Sequence, residues 1–63
     1  MIKKLTLFDI FHNEIINPIS INFNNVLYYC RNYADSCTDI VFIDGTKVQV
    51  KEDKEVIDSL FGI

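Results

Sequence analysis

Asp44-Gly45 stands between two runs of strand-forming residues, Asp39-Ile40-Val41-Phe42-Ile43 and Lys47-Val48-Gln49-Val50-Lys51. Asp-Gly in that setting is the strongest short-range signal for a β-hairpin, because a type I′ turn needs positive φ and glycine supplies it without steric penalty. The two arms differ. Val48 and Val50 face one way and Lys47, Gln49 and Lys51 the other, the pattern of a strand with one dry face. In the first arm Ile40 and Phe42 share one face while Val41 and Ile43 share the other, and a strand apolar on both faces needs cover on both. In a chain of 63 residues the second cover is either the C-terminal segment or another protomer.

The C-terminal segment reads as a short amphipathic helix. Asp53 is the expected N-cap and Glu55 lies in the first turn, both favourable at the positive end of a helix. Val56, Ile57, Leu60 and Phe61 form one apolar stripe, and Gly62 is placed to close the helix. A helix of about nine residues does not persist alone in water, so it must dock.

Upstream, residues 2–8 read as a first strand, 9–13 as a turn, and Glu14-Ile15-Ile16 as a short return strand. Pro18 ends that strand because it lacks the ladder donor and biases Asn17 to extended backbone. Ile19, Ile21 and Phe23 alternate with Ser20, Asn22 and Asn24, a strand with one dry face. Val26-Leu27-Tyr28-Tyr29-Cys30 reads as a further strand, with a buried helical turn as the alternative. Residues 31–37 are turn-like in composition. The expected fold is α+β, a small antiparallel β-sheet of four to five strands with one short C-terminal helix, in a single domain spanning 1–63.

A domain of this length buries only about 60% of the surface its unfolded chain exposes, so stability is thin. Yet 49% of the residues are hydrophobic, with five Phe and three Tyr, more than one small monomer can hide. The expectation is a homo-oligomer, a dimer, with Val41, Ile43, Leu60 and Phe61 at the oligomer interface. The net charge is −3 and Lys3, Lys4, Arg31, Lys47, Lys51 and Lys54 are dispersed, which disfavours nucleic acid as a partner. No run approaches the roughly 18 apolar residues that a membrane span needs. The start of the chain does not read as a secretory leader, since its apolar stretch is short and broken by Asp9, His12 and Asn13. A reduced cytoplasmic setting follows, the host cytoplasm if the chain is phage-encoded, in which Cys30 and Cys37 serve packing rather than a bridge.

His12 is the one histidine and no paired-ligand spacing accompanies it, so neither a metal nor another cofactor is expected. A nucleophilic cysteine would need a base and an orienting group that so small a body can hardly preorganise, and the chain reads as non-enzymatic. The most suggestive cluster is Tyr28, Tyr29, Arg31 and Tyr33, since Tyr and Arg are enriched at interface hot spots. These four are the candidate partner-binding residues, although a tyrosine here can equally be core or sheet edge. Asn22, Asn24, Asn25 and Asn32 could serve a ligand, with turn formation as the plainer alternative.

Asn17-Pro18-x-x-Ile21, then Thr38-x-Ile40-x-Phe42-x-Asp44-Gly45-Thr46-x-Val48-x-Val50-Lys51-Glu52 and Val56-Ile57, resembles the small flagellar FlbD-type proteins over residues 17–57. The resemblance implies a small β-sheet with a C-terminal helix and no catalytic residues. It departs from that family in its first turn and in the longer, more aromatic stretch 24–37.

The leading functional reading is a small binding protein that docks on and modulates a larger cytoplasmic protein, in the manner of a phage or mobile-element inhibitor of a host defence system. The alternatives are a small-molecule or nucleotide sequestering module at a homodimer interface, using Tyr28, Tyr29, Arg31 and the asparagines, and a FlbD-like flagellar accessory role.

Overall fold

The structure, a computed structural model, describes residues 1–8 and 18–63. The expected turn at 9–13, with His12, and the return strand at 14–16 lie outside the described residues. The elements run β1 (Ile2–Thr6), β2 (Pro18–Asn22), a 3-10 turn (Phe23–Asn25), β3 (Val26–Asn32), β4 (Cys37–Phe42), β5 (Lys47–Val50) and α1 (Lys54–Leu60). The five strands form two antiparallel sheets rather than one, β1-β2 and β3-β4-β5. They meet where Leu7 bridges Val50, with Phe8 N donating to Gln49 O at 2.9 Å and Lys51 N to Thr6 O at 2.8 Å.

The core takes one residue from each of four strands and one from the helix: Leu5, Ile21, Ile40, Val50 and Ile57. The register explains the choice. Leu5 lies opposite Ile19, and Lys3 opposite Ile21, so the core face of β1 carries a lysine stem while Ile2 turns to water. In the larger sheet Ile40 lies opposite Val48, and Thr38 opposite Val50. Ile40 and Val50 are fully buried, in line with the dry face expected for the second arm.

The hairpin turn differs from type I′. Gly45 N donates to Phe42 O at 2.9 Å and Phe42 N to Thr46 O at 2.8 Å, and Gly45 alone in the loop has positive φ, at 91°. This is the three-residue closure, a type I turn followed by a left-handed glycine. Asp44 favours it by accepting from Thr46 N at 2.9 Å and Thr46 Oγ1 at 2.7 Å. The extra residue decides the faces, because a two-residue loop would set Val48 opposite Val41, and a one-residue slip turns a strand over.

The second strand is shorter than its alternation suggests, as Phe23 leaves it for the 3-10 turn, where Asn22 Oδ1 accepts from Asn24 N at 3.1 Å. The stretch 26–30 is strand, not helix, and continues to Asn32; the turn contracts from the expected 31–37 to 33–36. A bulge between Val26 and Tyr28 reconciles four consecutive apolar residues with period two. It puts Val26 and Tyr29 against the core and leaves Leu27 and Tyr28 exposed.

The helix starts as expected after Asp53, but the Asp53 side chain makes no capping bond. Its anchor is the loop before it. The Glu52 carboxylate accepts from Thr6 N at 2.8 Å and Thr6 Oγ1 at 2.9 Å, and Glu52 O accepts from buried Thr38 Oγ1 at 2.7 Å. The far end closes as a Schellman motif on Gly62, at φ 76°, with Ile63 N bonded to Asp58 O and Gly62 N to Ser59 O. The apolar stripe divides: Ile57 is buried and Phe61 packs on the core, while Val56 and Leu60 stay exposed.

Ile57→Ala should cost about 2–5 kcal/mol, a large part of the roughly 3–9 kcal/mol available to a chain of 63 residues, and chemical denaturation will show a strongly lowered midpoint. Gly45→Ala meets no atom within 4 Å, so its cost, about 1 kcal/mol, should come from the left-handed backbone alone, with a lower denaturant midpoint and an unchanged slope.

Candidate functional site

The strand β3 carries the chemistry, and the helix runs antiparallel along it. Arg31 pairs with Glu55, Tyr29 Oη donates to Asp58 Oδ1 at 2.5 Å, and the Phe23 and Phe61 rings meet edge-on at 4.9 Å. Lys54 Nζ donates to Asp58 Oδ2 at 2.8 Å and sits 5.8 Å from the centre of the Tyr29 ring. Tyr29 is therefore turned to the core side, where it holds the helix. Burial, and then the bond to Asp58, push its phenol up to about 12. The Lys54 ammonium and the Tyr29 hydroxyl hold the Asp58 carboxyl below the usual range.

Tyr33 and Arg31 form a separate unit at the far end of β3. Tyr33 is 81% exposed, and the Arg31 guanidinium lies 5.6 Å from its ring centre, a cation–π contact. The turn beneath is braced. Asn32 Oδ1 accepts from Asp35 N at 3.1 Å, Asn32 Nδ2 donates to Asp39 at 3.2 Å, and Gln49 Nε2 reaches Asp35 at 3.3 Å and Asp39 at 3.2 Å. Ser36 completes the reversal at φ 54°. Beside this unit is a cleft of about 330 Å³ lined by Arg31, Asn32, Tyr33, Ser36, Cys37, Asp53 and Glu55. Asn32 and Asn22 thus have local backbone roles, the plainer of the two readings of the asparagines.

The near end of β3 is apolar. Phe23, Val26 and Phe61 floor a groove of about 360 Å³ that Leu27, Tyr28, Tyr29 and Ile63 complete. Residue chemistry alone did not single out Phe23, Val26 or Leu27. The available signal was the unbroken apolar run 26–29, which strict alternation cannot place and a bulge can.

The structure therefore does not gather the four aromatic and basic candidates into one patch. Arg31 and Tyr33 are together, Tyr29 is under the helix, and Tyr28 faces away from the core, opposite Val41. The expected oligomer residues also separate. Val41 is half-buried on the sheet face that the helix does not cover, Ile43 is exposed at the hairpin tip, Leu60 is exposed on the helix, and Phe61 floors the groove.

Both cysteines are free, Cys30 exposed and Cys37 buried. Burial, then the charges of Asp39 and Asp35, raise the Cys37 thiol, which keeps it protonated and poorly nucleophilic at neutral pH. Among the described residues no three His, Cys, Asp or Glu side chains are grouped to hold a metal ion, and no helix is long and apolar enough to cross a membrane.

The Tyr29–Asp58 contact makes stability depend on pH at both ends. A phenol raised in the fold contributes stability that is complete below its unfolded value of about 10 and is lost as pH rises through about 12. A lowered carboxyl contributes above its unfolded value and loses that contribution as pH falls through the folded one. Urea midpoints should hold level near neutrality and fall at both extremes, and Tyr29→Phe should fall less than the parent between pH 9 and 11.5. Comparison with family models, with curated proteins and with solved structures found no match to this chain, so the functional reading rests on the geometry of its own residues.

Proposed function

We propose that this chain is a small non-enzymatic binding protein that docks on a larger cytoplasmic protein and modulates it, through the Arg31–Tyr33 end of β3. The observation that carries the reading is a large aromatic side chain, 81% exposed, presented on a turn braced by Asn32, Asp35, Asp39 and Gln49. An exposed tyrosine on a rigid support loses little conformational freedom when a partner covers it, and Tyr with Arg is the usual composition of a binding hot spot. The compact, apolar and weakly acidic character of the chain suits a phage or mobile-element inhibitor of a host defence system.

The nucleotide-sequestering alternative draws less support. It needs Arg31 free for phosphate, whereas Arg31 is engaged by Glu55 and shares its cleft with Asp53. A flagellar accessory role rests on the resemblance over residues 17–57 and is a form of the same docking activity.

The test is capture from a host lysate with the purified chain as bait, read by mass spectrometry. A protein retained by the parent and by Val56→Ala should be lost, at least tenfold, with Tyr33→Ala and with Arg31→Ala, as expected where truncating a hot-spot residue costs about 2 kcal/mol or more. An identical set of captured proteins with all four baits would refute the docking site.

A further inference from the structure

We draw no further inference here: the strongest candidate, the apolar groove at the bulge end of β3 floored by Phe23, Val26 and Phe61, carries nothing because nothing in the structure shows what covers it.

Discussion

The burial of Ile57 against Ile40 and Val50 is the interaction on which the rest of this structure depends. The helix has seven residues, too few to persist in water without a docking surface, and its first turn lacks a side-chain cap. The two sheets, for their part, are joined along the backbone by the Leu7–Val50 bridge and the hydrogen bonds that flank it. One isoleucine from the helix joins a core built from Leu5, Ile21, Ile40 and Val50, so helix and both sheets are stabilised by the same burial. The contacts along β3 follow from it. Once Ile57 is seated, Asp58 is beside Tyr29, Glu55 beside Arg31 and Phe61 beside Phe23.

These surface contacts differ in weight. The Arg31–Glu55 pair is exposed and contributes little by itself, as screened ion pairs generally do. The Tyr29–Asp58–Lys54 group is better protected, and its ring covers part of the core. The aromatic contact of Phe23 with Phe61 combines burial with edge-on geometry. A gradient results along β3, from apolar at the bulge to polar and braced at the 33–36 turn. The two ends therefore differ in chemistry, apolar at one and a presented Tyr–Arg pair at the other.

Much of the fold was legible in the sequence because the signals were local. Asp44-Gly45, the alternation of Val48 and Val50, Gly62 after an apolar stripe, and the strand grammar of 19–22 each depend on neighbouring residues, and the corresponding elements are present. The site was less legible. Tyr28, Tyr29, Arg31 and Tyr33 are close in sequence, but a bulge and a turn send them to three different surroundings, which proximity along the chain cannot convey. The bulge also brings Phe23, Val26 and Leu27 into the groove, although none of the three has a polar group to draw attention to it.

By itself the sequence determined the kinds of element, their order and the excess of apolar side chains, since backbone preference and side-chain period act over a few residues. Only the tertiary structure decided which face is dry where the pattern is apolar on both sides or along an unbroken run. The three-residue closure at Gly45 sets Val48 opposite Ile40 rather than Val41, the bulge at Leu27 turns Tyr29 inward and Tyr28 outward, and the seating of Ile57 leaves Val56 and Leu60 in water. Each of these is a matter of register, and register is settled by the packing of residues distant in the chain, which a local pattern does not contain.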